Sequence, residues 1–171
     1  MALHRLSLAV IAVVLFTTSI VAAQQPTTPA PAAPAPPPDY GAPITNVQAK
    51  KVMAGAEAEA MKNKWNVCIV ILDSGGQLVM AQRLDGAQWG SLDIAREKAR
   101  SAVALRRPTK ALQDLIAQGG ANLRLLSLGF SVLEGGLPII VGGKIIGSIG
   151  VSGVLSTQDA QTGQAGIDAL K

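Results

Sequence analysis

Histidine and cysteine are almost absent from this chain of 171 residues. The one histidine is His4 and the one cysteine is Cys68, so no intramolecular disulfide can form. If His4 is removed with a signal peptide, zinc sites built on histidine and cysteine are excluded, as are Ser-His-Asp and Cys-His catalytic arrangements. These absences favour a binding protein over an enzyme.

Clustered positive charge and aromatic residues are also missing. The chain has 15 Lys and Arg against 11 Asp and Glu, and aromatic residues make up 3% of it. The basic residues are scattered along the sequence. Because nucleic-acid binding uses a clustered basic face, often with stacking aromatics, we expect no nucleic-acid partner.

Residues 1–23 have the pattern of a secretory signal peptide. Arg5 lies in a short first region, and an apolar run follows from Leu6 to Val21. Val21 and Ala23 suit the −3 and −1 positions of a cleavage site after Ala23. The run is shorter than the ~20 apolar residues of a spanning helix. We therefore expect a periplasmic or secreted protein with no stable membrane span after cleavage.

Composition divides the remaining chain into two parts. Residues 24–43 contain most of the prolines and almost no bulky apolar side chain, which predicts a disordered linker. Residues 44–171 have the length of one domain with a single core.

Periodicity and turn residues predict the elements of this domain. A capping box at Thr45 opens a helix to about Lys62, and a second helix runs from near Ser91 to Arg106. The segment 123–132 fits either a helical turn or a short strand. The remaining predictions are strands at 67–72, 77–83, 137–141 and 144–151, a short helix from Thr109 to about Gly119, and a last helix from Ser156 with a capping box to Asp159.

The order of these elements predicts an α+β domain. Hairpins at 73–76 and at Gly142-Gly143 make neighbouring strands antiparallel. Helices before, between and after the two hairpins would then pack on an antiparallel sheet.

The glycine-rich segment 135–153 is not a nucleotide motif. Gly143-Lys144 is followed by Ile145 and Pro138 stands where a Walker loop has glycine, so we expect no nucleotide cofactor. Gly147, Gly150 and Gly153 recur every third residue in a strand. They predict close approach by a helix, by another subunit or by a ligand.

The positions of several charged residues and of the one cysteine predict their roles. Arg83 and Asp85 would share a strand face, as a surface ion pair or as a polar rim for a ligand. Lys98 lies among alanines of the second helix, where a lysine usually extends along the surface to water. Cys68 lies within an apolar strand and is predicted to be a core residue. Asp73 is predicted to serve its turn.

Several linked motifs resemble one family. They are Val70–Leu78, Arg83-Leu84-Asp85-Gly86-Ala87, Lys98-Ala99-Arg100-Ser101-Ala102, Gly135-Gly136-Leu137-Pro138-Ile139, Ile146–Gly153 and Gln158-Asp159. Their order over residues 44–171 is similar to that of the GlcG/HbpS family, the haem-binding or "haem-degrading" domain also called DUF336. The resemblance implies a profilin-like α/β/α sandwich, assembly into homo-oligomers, and haem binding outside the cytoplasm in some members.

This resemblance leads to three functional hypotheses. The first is an exported protein that binds haem or a related tetrapyrrole in an apolar pocket, with Arg83 or Lys98 meeting the propionates. The second is an enzyme acting on haem or a small organic acid, and the third is an oligomeric accessory or sensor protein without a ligand. For the first, we expect the ligand-binding residues Arg83, Asp85, Lys98, Thr109, Gly136 and Ser152, and no resident metal ligands.

Signal cleavage gives the first testable prediction. The exported protein should begin at Gln24, because Val21 and Ala23 form the best −3 and −1 pair. The intact mass of the exported protein measures this. A mass that still includes residues 1–23 would contradict cleavage and favour a membrane anchor.

Overall fold

The computed structural model describes residues 36–171, and residues 1–35, which hold the predicted signal peptide and most of the predicted linker, lie outside the described part. The helices are α1 (Asn46–Asn63), α2 (Ser91–Ala104), α3 (Thr109–Ala117), a 3₁₀ helix (Gly120–Leu128) and α4 (Ser156–Asp168), and the strands are β1 (Cys68–Asp73), β2 (Leu78–Arg83), β3 (Gly136–Val141) and β4 (Lys144–Ser152). None of the described helices is long and apolar enough to cross a bilayer.

The four strands form one antiparallel sheet in the order β2-β1-β4-β3. Helices α1 and α4 pack on one face, and α2 packs on the other. This arrangement confirms the predicted α+β class with helices on both faces of the sheet.

Strand β1 is apolar from Cys68 to Leu72 because both of its faces are covered. Ile69 and Ile71 join the cluster formed with α1, while Cys68, Val70 and Leu72 join the cluster formed with α2. A strand buried on both faces gives a continuous apolar run instead of an alternating pattern.

Local signals in the sequence determine most element ends. The Thr45 hydroxyl accepts from the Gln48 N–H, and the Gln48 side chain accepts from the Thr45 N–H, which confirms the capping box. Asp73 accepts hydrogen bonds from the N–H groups of Gly75 and Gln77, as predicted for its turn.

The structure decides one open alternative and changes one predicted boundary. The segment 123–132 contains no strand, and the helical alternative is the observed one: a 3₁₀ helix covers most of it and ends at Leu128, followed by Gly129 with a φ of 68°. The folded part of the chain also begins before Ile44, because the N–H of Ile145 donates to Asp39 and the N–H of Gly41 donates to Ile145. The last residues of the predicted linker thus pair with β4.

Gly150 lies under helix α2 of the same chain. A Cβ built on Gly150 would lie 2.0 Å from the Ala95 carbonyl oxygen and 2.6 Å from the Ala99 nitrogen. The first of the three interpretations, close approach by a helix, is therefore the observed one at this position. An oligomer interface at Gly150, the position at which the sequence suggested one, is incompatible with this packing.

Gly150→Ala should lower the free energy of unfolding by about 1–3 kcal/mol, since overpacking forces the helix away from the sheet. Gly90→Ala is the matched control, because nothing lies within 4 Å of a Cβ at that position and its φ is −65°. Urea denaturation of both variants measures the difference. Equal stability of the two variants would contradict the packing described for Gly150.

Candidate functional site

The six residues predicted to bind a ligand fall into two groups in the structure. Lys98, Thr109 and Gly136 are buried together where α2 and α3 meet the start of β3. Arg83 and Asp85 lie exposed at and just beyond the end of β2. Ser152, the last residue of β4, is buried between these groups.

Lys98 is an interior residue, which corrects the prediction of a surface lysine. Its side chain is 1% exposed, and its Nζ donates to Asp159 Oδ2 at 2.7 Å and to the Val151 carbonyl oxygen at 3.0 Å. The ion pair joins α2 to α4. Because Lys98 is enclosed and paired, it cannot meet a propionate in this geometry.

Asp159 also differs from its prediction. Its carboxylate does not cap α4 with Ser156: Oδ1 accepts from the Val154 N–H at 3.2 Å, and Gln158 accepts from the Leu155 N–H instead. Burial raises the pKa of Asp159 above its usual value, while the hydrogen bond and the charge of Lys98 oppose that rise. The ion pair therefore offsets a desolvation cost.

The ion pair explains why glycine occupies position 135. Gly135 has a φ of 124°, and a Cβ there would lie 2.8 Å from Lys98 Nζ and 2.9 Å from the Asp159 Cβ. At position 136, a Cβ would lie 2.2 Å from the Lys98 carbonyl oxygen. The Gly-Gly pair thus lets β3 approach Lys98 and Asp159.

Thr109 supports the same region. Its side chain is fully buried, and its hydroxyl accepts from the Gly136 N–H at 2.9 Å. Helix α3 begins at Thr109, as predicted, but the Thr109 side chain does not cap it. Thr109 and Gly136 therefore hold β3 against α3, with no exposed atom of Thr109 to contact a ligand.

Ser152, Cys68 and Arg83 form a row across three strands. Cys68 is the register partner of Ser152 in β4 and of Arg83 in β2. Cys68 is fully buried, as predicted, and burial raises the pKa of its thiol, with the positive charge of Arg83 opposing. Arg83 and Asp85 form no salt bridge within residues 36–171, so the first of their two alternatives, a surface ion pair, is not observed there.

An open cleft of about 360 Å³ at the edge strand β3 has a composition suited to an apolar anion. We call it the arginine cleft, and its lining residues are Pro38, Arg106, Arg107, Pro108, Leu137, Pro138, Ile140, Gln164 and Ile167. The lining contains two arginines and no carboxylate. None of the six predicted residues belongs to it.

The two arginines of this cleft have different surroundings. Arg106 forms a salt bridge with Asp39 at 3.6 Å, and its guanidinium lies 5.8 Å from the centre of the Tyr40 ring. Arg107 is exposed, and its Nε donates to the Leu105 carbonyl oxygen at 3.1 Å. Among the residues described, Arg107 has no carboxylate partner, which leaves its charge for a ligand.

Sequence reasoning missed this cleft because four separate segments contribute to it. The one local signal was Arg106-Arg107-Pro108, two adjacent guanidinium groups at a helix end that proline terminates. Leu137 and Ile140 of β3 and Ile167 of α4 become neighbours of these arginines only in the folded chain.

The buried ion pair gives a stability prediction. Lys98→Met and Asp159→Asn should each lower the free energy of unfolding by about 3–5 kcal/mol, because each leaves one buried group without its partner. The double variant should lose less than the sum of the two single losses. Urea denaturation of all four proteins measures this coupling, and strictly additive losses would show that the two side chains act independently.

Comparison with known proteins places this geometry in a family. A family model described as "Haem degrading protein HbpS-like" matches residues 44–168. Protein GlcG of Escherichia coli K12 is 37% identical over 109 residues, which are 64% of this chain and 81% of GlcG.

Two solved structures extend the comparison. The crystal structure of HbpS superposes with a TM-score of 0.70 at 30% identity, covering 77% of this chain and 92% of HbpS. A crystal structure described as a PduOC–haem complex superposes with a TM-score of 0.70 at 27% identity, covering 74% of this chain and 94% of the other. Because the family model spans most of the sequence and these relatives align along most of their own length, the chain belongs to the HbpS-like family.

Proposed function

We propose that this protein is exported and binds haem or a related tetrapyrrole in the arginine cleft. The observation that carries the proposal is the lining of that cleft, which combines apolar walls with two guanidinium groups and no carboxylate. The PduOC–haem complex supports the choice of ligand, since a protein of the same fold is described there with haem.

The residues of the cleft fit the two chemical parts of haem. Leu137, Ile140 and Ile167 offer an apolar surface for the macrocycle. Arg107 has the charge and planar shape to pair with a propionate carboxylate, and Arg106 adds a second positive charge beside it. When bound, haem would supply the iron-centred chemistry of the protein.

The lining offers no strong ligand to the haem iron. It contains no histidine, cysteine, methionine or tyrosine, and Cys68, Lys98 and Thr109 are buried elsewhere. Neutral imidazole is a good ligand for haem iron. We therefore infer that the macrocycle and the propionates supply most of the affinity and that the haem exchanges readily.

Self-association is the other part of the proposed function. Leu123, Leu126 and Leu128 of the 3₁₀ helix are exposed together with Leu133. An exposed apolar surface of this kind is typical of a protein–protein interface. This surface is compatible with the homo-oligomer that the family resemblance implies, whereas Gly150 is covered within the protomer.

Arg107→Ala should weaken haemin binding by about fivefold to tenfold, since a charge-assisted hydrogen bond to a propionate is lost. Arg83→Ala is the matched control, because Arg83 is also exposed but does not line the cleft. Titration of haemin into both variants, followed at the Soret band, measures the two affinities.

Two other outcomes of these haemin titrations would contradict the proposal. Weaker binding by Arg83→Ala with unchanged binding by Arg107→Ala would move the ligand to the end of β2, where the sequence first suggested it. No saturable Soret change in the parent would contradict haem binding itself.

A further inference from the structure

A second cleft lies at the C-terminal end of α1, and the proposed function does not use it. It has a volume of about 350 Å³ and opens between the C-terminal turn of α1 and the loop after β2. We call it the Trp65 cleft, and its lining residues are Glu57, Ala60, Met61, Lys64, Trp65, Asn66, Leu84 and Asp85. It shares no lining residue with the arginine cleft.

The end of α1 shapes this cleft. Lys64 has a φ of 58°, and the N–H of Trp65 donates back to the Ala60 carbonyl oxygen at 2.9 Å. This reversal brings Trp65 against the apolar cluster of α1 and the sheet. Gly86, beside the lining residue Asp85, lets the loop after β2 approach Asn66, since a Cβ there would lie 2.8 Å from Asn66 Nδ2. The indole is thus supported by the core while it lines the cleft.

The charges around the Trp65 cleft favour a cation. Glu57 and Asp85 contribute two carboxylates, and neither forms a salt bridge among residues 36–171. Glu57 Oε1 accepts one hydrogen bond, from Gln82 Nε2 at 2.8 Å. The C-terminal end of a helix adds partial negative charge. Lys64 is the opposing charge, on an exposed and flexible side chain that can extend into solvent.

We propose that the Trp65 cleft binds a small organic ammonium ion. An ammonium group over an aromatic face is attracted by the ring, and the two carboxylates add to that attraction. Met61, which is 67% exposed, and Leu84 offer apolar contacts to the carbon substituents of such an ion. An inorganic divalent cation would instead require more oxygen ligands than the indole, thioether and aliphatic groups here provide. The two carboxylates would repel an anionic ligand.

Choline is a suitable probe, and its neutral isostere 3,3-dimethylbutan-1-ol tests the role of charge. In a Trp89→Phe background Trp65 is the one tryptophan left, so its fluorescence reports on the cleft. Choline should change this fluorescence saturably at roughly millimolar concentrations, as expected for a weak exposed cation–π site. The neutral isostere should bind at least about fivefold more weakly.

Asp85→Asn tests the carboxylate, and Asp93→Asn is the matched control, because it removes the same charge from an exposed residue of α2 outside the cleft. We expect Asp85→Asn to weaken choline binding at least about fivefold and Asp93→Asn to leave it unchanged. Equal binding of choline and its isostere, or parental affinity in Asp85→Asn with an unchanged urea midpoint, would overturn the proposal. Haemin titration of Asp85→Asn keeps this result separate from the proposed function, because that variant leaves the arginine cleft intact.

Discussion

The buried ion pair between Lys98 and Asp159 is the constraint on which the α2–sheet–α4 packing depends. It connects helices that lie on opposite faces of the sheet, at the point where β3 begins beside β4. Removing two charged groups from water costs free energy. Here Lys98 also donates to the Val151 carbonyl, and Asp159 also accepts from the Val154 N–H, so both charges have further hydrogen-bond partners. The glycine at 135 follows from this pair, because a Cβ there would collide with it, and the glycine at 136 follows from the close approach of the Lys98 backbone.

The elements of the fold were largely predictable, because their signals are local. The capping box at Thr45, the turn at Asp73 and the positive-φ pair Gly142-Gly143 all act within a few residues of the chain. Lys98 was misjudged because helical periodicity cannot show a partner 61 residues away in sequence. The same limit applies to Gly150, whose neighbour is the backbone of α2 rather than any nearby residue.

The site was less predictable than the fold for a related reason. The family motifs contain Lys98, Gly136 and Asp159. In the structure these residues pack against one another in the interior and expose almost no surface. A motif defined by sequence can therefore mark a structural requirement. The exposed charges of the two clefts lie at element ends: Arg107 is outside the motifs, Asp85 is within one of them, and both acquire their neighbours only by folding.

Charge is sorted between the two clefts although it is scattered along the sequence. The arginine cleft holds two guanidinium groups and no carboxylate, whereas the Trp65 cleft holds two carboxylates and one ammonium group. A dicarboxylate such as haem is therefore repelled from the Trp65 cleft, and an organic ammonium ion is repelled from the arginine cleft. Because each cleft repels the ligand proposed for the other, a chain with a net charge of only +4 could distinguish ligands of opposite sign.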